Sequence, residues 1–231
     1  MIDFNSTKWA DPNYRAQVIA SIKSNYNVAR KVESYHCWNI FNDKIDSYVK
    51  EYLLSQLAEK TVARMPIIST INIAKKIVKS EAMIYNDCPE RTFNGDYKEI
   101  FEKIYASNAF DTTMRRSNEY YKLLRQTLLQ VYLDDGKIKV RVINNHNYDV
   151  INNENNPERA DAYILSPFDK MLGQMPVSQS LVAIQEPEYR MNERYVVWDN
   201  DVNFVMNGNG EIISSETSNP IGMMPFVEVS S

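Results

Sequence analysis

The side chains that most often carry chemistry are sparse in this sequence: two histidines, His36 and His146, and two cysteines, Cys37 and Cys88. His36 adjoins Cys37, but consecutive residues of a helix point about 100° apart, so the two cannot readily share a metal or act as base and nucleophile. His146 has no partner at fixed spacing, and both histidines read as structural. The cysteines read as free and partly buried, because the N-terminus lacks the basic and apolar segments of a secretory signal. Asp134-Asp135 and Asp199-Asn200-Asp201 offer oxygen ligands of the kind hard cations take. Both fall at turn positions, where Asp and Asn are favoured for backbone reasons, and neither continues into a calcium-loop pattern. A metal-dependent phosphoryl enzyme would have to draw on scattered carboxylates such as Asp87, Asp134 and Asp149, whose spacing does not favour it. There is no phosphate-cradling Gly-x-x-x-x-Gly-Lys-Ser/Thr run and no Gly-x-Gly-x-x-Gly, and Asn207-Gly208-Asn209-Gly210 reads as a hairpin turn. No catalytic, cofactor-binding or metal-ligating residue is assigned.

Two basic groupings are left. Lys75, Lys76 and Lys79 lie in a helical pattern, and Lys137, Lys139 and Arg141 alternate with Ile138, Val140 and Val142. Such charges can meet a phosphate backbone or the acidic surface of a neighbouring molecule, or form a solvated face. These six are the candidate interface or DNA-proximal residues.

The elements that must position them follow from periodicity. Tyr14, Val18, Ile22, Tyr26 and Ala29 mark a first helix over 14–30, with Asp11-Pro12 as its start. Trp38, Phe41, Ile45, Tyr48, Tyr52 and Leu53 place two helices or one bent helix in 34–64. Pro66 punctuates, and Ile67, Ile71, Ala74, Val78 and Tyr85 form the stripe of a third helix that carries the lysine group to one side. Asp96 could cap a helix over 97–107, and another covers 112–125. The period then changes to two. Residues 127–133 and 137–142 flank Asp134-Asp135-Gly136 as a β-hairpin, its branched residues facing a core and Lys137, Lys139 and Arg141 sharing the opposite face. Further strands are expected at 148–151, 162–165, 195–198 and 202–206, with 211–213 after the glycine-rich turn and an Asn-rich link around 144–156. The expected fold is α+β, with amphipathic helices in residues 1–125 and an antiparallel sheet region in 126–231.

Composition agrees with a packed chain. Its 231 residues are 44% apolar and 11% aromatic with only 6 Gly, which excludes disordered and fibrous classes. The net charge of −4 argues against a whole-surface DNA-binding role. It divides unevenly: residues 1–125 carry 19 basic and 15 acidic side chains and residues 126–231 carry 7 and 15, so +4 faces −8. Opposite signs on two parts of one chain suit head-to-tail contact, which closes into a ring when the rotation permits. The uncharged stretches 65–74 and 171–185 are too short or too interrupted to cross a bilayer, which needs about 20 apolar residues, so no membrane role is expected.

Three ordered stretches carry a family resemblance. Residues 65–93, with Met65-Pro66-Ile67 leading to Asn72 and a helix ending in Ala82-Met83-Ile84-Tyr85 before Pro89, resemble the early helix of tailed-bacteriophage portal proteins. Residues 123–147, a helix end running into Leu128-Leu129-Gln130-Val131-Tyr132, an Asp-Gly turn and Lys139-Val140-Arg141-Val142, are similar to the portal wing hairpin. Tyr195-Val196-Val197-Trp198, Asn203-Phe204-Val205 and Asn219-Pro220-Ile221-Gly222-Met223-Met224-Pro225-Phe226-Val227 resemble the passage before the first stem helix.

The resemblance implies a portal-wing-like fold and a structural, non-enzymatic head-to-tail connector without cofactor. Such a protein forms a homo-oligomeric ring at one capsid vertex of the virion, assembled in the host cytoplasm. Double-stranded DNA passes through the ring during packaging and ejection, and its partners are the capsid protein, the packaging ATPase (terminase) and head-to-tail adaptors. The 231 residues then correspond to the wing-like portion, ending before stem, clip and crown. The alternative is a non-enzymatic soluble adaptor or protein-interaction module.

Overall fold

The computed structural model describes residues 4–57, 59–62, 71–83, 89–166, 193–215 and 217–230. Helices come first: α1 (Pro12–Ile22), α2 (Asn25–Phe41), α3 (Ile45–Gln56), α4 (Glu59–Val62), α5 (Ile73–Glu81), α6 (Lys98–Ser107) and α7 (Phe110–Leu124). Strands follow: β1 (Gln126–Asp134), β2 (Lys137–Asn144), β3 (Tyr148–Asn152), β4 (Ala160–Leu165), β5 (Arg194–Trp198), β6 (Asn203–Asn207) and β7 (Phe226–Ser230). The α+β order and the switch of period near residue 125 are as the sequence predicts.

Local chemistry sets the boundaries. Asp11 caps α1 through the Asn13 amide, with Pro12 at the first helical position. The expected helix over 14–30 breaks at Lys23-Ser24, because the Ser24 side chain accepts from the Asn27 amide and starts α2 there. The same helix runs through the expected gap at 31–33. Tyr97, with no side-chain cap, occupies the position expected of Asp96. Arg125 takes the left-handed conformation at the end of α7, and the next residue opens β1. Asp135 and Gly136, with φ of 48° and 71°, make the tight turn of the β1–β2 hairpin.

Two antiparallel sheets result, one ordered β2-β1-β7 and the other β3-β4-β5-β6. Residues 211–213 add only an isolated bridge, Met206 to Ile212, in place of the expected strand. Alternation gives each sheet two faces. On one face of the four-stranded sheet, Ala162, Ile164, Tyr195, Val197, Phe204 and Met206 pack against Trp9 and against Val18, Ile19 and Ile22 of α1. On its other face, Tyr148 and Tyr163 join Leu128 of β1, with Phe226 of β7 packed alongside. The far face of the three-stranded sheet meets α7, where Ser117 and Thr127 hydroxyls lie 3.4 Å apart. Helix, sheet, sheet and helix therefore stack as four layers, and both halves of the sequence contribute to the interior.

The hairpin differs from expectation in one respect. Val140 and Val142 are half-buried on the face toward α7, but Ile138 and its cross-strand partner Leu133 lie exposed near the turn. The helix covers only the base of the hairpin.

Candidate anion-binding cleft

The six sequence-identified basic residues are not gathered into one patch. Lys75 is ion-paired with Asp43, whose carboxyl is held below its ordinary range chiefly by hydrogen bonds from Lys75 and Asn72. Asn72 also accepts from the Lys75 amide at 2.9 Å and donates to the Ile40 carbonyl at 2.5 Å, which fixes the start of α5 at Ile73. Lys76 and Lys79 are exposed. The expected stripe of this helix is not its buried face. Ile67 and Tyr85 lie outside the described residues, Ile71 and Ala74 are exposed, and Val78 is half-buried. Lys137 is exposed beside the hairpin turn, and Lys139 pairs with Asp134.

Arg141, the last of the six, lines a cleft. Its Nε donates to Gln130 Oε1 at 2.8 Å and its guanidinium carbon sits 5.1 Å from the centre of the Tyr132 ring, so hydrogen bond and ring hold it in place. The cleft, about 530 Å³, runs between α2 and α7 on one side and the ends of β2, β4 and β5 on the other. Arg116 of α7 and Arg194 of β5 join Arg141 in lining it, with Trp38 and Tyr120 in an edge-on pair 4.5 Å between centres. Among the described residues no carboxylate lines it, and none of the three arginines forms an ion pair. Asn144, also in the lining, keeps a buried amide oxygen with no hydrogen-bond partner among the described residues.

Sequence reasoning missed Arg116 and Arg194. The doublet Arg115-Arg116 on a helical stretch and the arginine opening the Tyr195 strand were the available signals, but only the packing of α7 on β2, with β5 of the other sheet across the cleft, brings them together.

Behind the cleft lies a buried polar network. Lys31, 2% exposed, donates to Asp149 Oδ2 at 2.5 Å and to Ser166 Oγ at 3.3 Å, while Arg30 approaches the other Asp149 oxygen at 3.5 Å. Burial pulls the Lys31 ammonium below its ordinary range, and Asp149 opposes that pull. A serine beside a lysine is the pairing of some hydrolases, but here the lysine proton is held by Asp149 and both groups are buried, so the network joins α2 to β3 and the end of β4. Nearby, Glu193 accepts from Tyr195 at 3.2 Å and pairs with Lys23.

The other residues considered from sequence have structural settings. His146 is fully buried with its Nδ1 3.2 Å from Ser34 Oγ. His36 packs edge-on to Tyr48, and burial lowers its pKa. Cys37 is free and half-buried, and burial raises its thiol. Asp199 accepts from Trp9 Nε1 at 2.6 Å and from the amides of Asp201 and Val202 at 2.8 and 2.7 Å, closing a turn. Asp87 and Cys88 lie outside the described residues. No described helix is long and apolar enough to cross a membrane.

No protein-family model matches the chain, and no curated protein matches it.

Proposed function

We propose that this chain is the wing portion of a tailed-phage portal, a structural, non-enzymatic connector that forms a ring at one capsid vertex and through which DNA is packaged and ejected. The observation that carries the reading is the order of the three resembling stretches along one sequence, 65–93, 123–147 and 195–227. Their described parts meet: α5 lies against α7, α7 leads directly into β1, and β1 pairs with β7 from Gln126 opposite Ser230 to Gln130 opposite Phe226. In this reading the partners are further copies of the chain, the capsid protein, the packaging ATPase and the head-to-tail adaptor, with double-stranded DNA as cargo in the virion.

Ring formation is supported by the opposite charge of the two sequence halves and by apolar side chains left exposed on one sheet face. Val131, Leu133, Ile138 and Val227 share that face beyond the edge of α7. Apolar surface rimmed by charge is the usual composition of a subunit contact.

Two measurements test this. Light-scattering mass, taken across a range of ionic strength, is expected to show multiples of the monomer that change with salt. Negative-stain images of the protein expressed from its full reading frame are expected to show rings with a central hole. Monomer at every concentration and ionic strength, with no rings, would overturn the portal reading in favour of a soluble adaptor.

A further inference from the structure

We infer that the cleft bounded by Arg116, Arg141 and Arg194 is a binding site for a nucleotide, with its phosphate among the guanidiniums and its base beside Trp38 and Tyr120. This does not depend on the portal reading, and ring formation does not test it.

Charge decides the first part of the ligand. Three arginines line one space, and among the described residues no carboxylate joins them, which leaves an excess of positive charge that a single carboxylate does not balance. A phosphate monoester concentrates about −1.5 to −2 on one tetrahedral group and accepts hydrogen bonds on three oxygens. The planar fork of arginine suits it, because two parallel N–H groups reach two oxygens at once. Arg141 is preset for this, since Gln130 and Tyr132 fix its stem and among the described residues its terminal nitrogens make no other hydrogen bond.

Shape and polarity decide the rest. Inorganic phosphate would occupy a small fraction of about 530 Å³ and leave the aromatic and aliphatic wall of Trp38, Tyr120, Leu165 and Val196 unfilled. A nucleotide base supplies a flat apolar body for that wall, and aromatic side chains and arginine are the groups that hold single bases without sequence preference. A DNA duplex is too wide for a cleft of this volume, so the ligand is one nucleotide unit, either free or within a single strand.

Isothermal titration calorimetry of the whole protein tests this with adenosine monophosphate, adenosine, inorganic phosphate and a short single-stranded oligonucleotide. Adenosine monophosphate is expected to bind more tightly than adenosine or inorganic phosphate. An Arg116→Gln/Arg194→Gln variant, both side chains being exposed, is expected to keep the parent circular dichroism and melting curve while losing about tenfold or more in affinity. Tighter binding of the oligonucleotide, lost in the same variant, supports the site with a single strand as the source; equal or weaker binding supports it with free nucleotide as the source. The inference is overturned if adenosine monophosphate binds no better than inorganic phosphate, if the folded variant binds as the parent does, or if an acidic peptide competes more strongly than any nucleotide.

Discussion

The Lys31 ammonium and the Asp149 carboxylate meet at 2.5 Å in the interior, tying α2 to β3 across 118 positions of sequence. Removing one partner strands the other charge. Asp149→Ala is expected to lower stability by about 3–5 kcal/mol in urea denaturation, whereas Lys31→Met combined with Asp149→Ala recovers most of the loss. A double variant no more stable than the single one would show that the damage comes from lost packing and not from an unpaired ammonium.

Two positions with positive φ predict effects of opposite sign. Arg125 holds φ of 62° at the end of α7, a conformation that costs an L-residue about 1–2 kcal/mol. Arg125→Gly is therefore expected to stabilise the protein by about 1 kcal/mol. Gly210 holds φ of 82°, and a Cβ there would lie 3.3 Å from the Ala16 amide nitrogen and the Arg15 carbonyl carbon. Gly210→Ala should cost about 1–3 kcal/mol. Thermal melting measures both.

Alkaline titration provides a pH test. Burial is the main cause that pushes the Tyr163 hydroxyl up to about 12, and burial and neighbouring carboxylates push Tyr148 and Tyr195 higher still. A phenol whose folded value lies above its unfolded value of about 10 gives stability that is complete below pH 10 and lost as pH rises through the folded value. Phenolate absorbance from these three, among 15 tyrosines, should appear together with loss of native circular dichroism. Full ionisation of all tyrosines in a still-native protein would contradict the buried settings.

Leu133 is 70% exposed at the tip of β1 and Val227 is 59% exposed on β7. Leu133→Lys with Val227→Lys should leave monomer stability within about 0.5 kcal/mol per site. In the portal reading the same pair of changes weakens self-association in sedimentation experiments. Unchanged association would remove this sheet face from the subunit contact.

The sequence carried the fold class and the hairpin clearly, because the Asp135-Gly136 turn and the alternation in 137–142 are local signals. It misplaced the α1–α2 break, since Tyr26 and Ala29 continue the apolar period of α1 while Ser24 interrupts it with one side-chain hydrogen bond. The cleft was legible only in part. Arg141 stood out beside Lys137 and Lys139, but Arg116 and Arg194 belong to elements 78 residues apart in number, and no spacing rule relates them before the sheets and α7 pack. The buried Lys31 was equally invisible, because a lysine in an amphipathic helix normally reaches water.

Trp9 is sealed between Tyr14 and Phe204, with ring centres 5.2 and 5.5 Å away. A ribosome makes the first of these contacts possible at once and the second only after nearly two hundred further residues. At usual synthesis rates, that delay is about 10–40 s. Throughout it, the sheet that covers the inward side of α1 is incomplete, so a nascent chain must keep an indole and three branched aliphatic side chains from straying until β6 emerges. The demand of this N-terminal anchoring therefore falls on synthesis as well as on the finished protein.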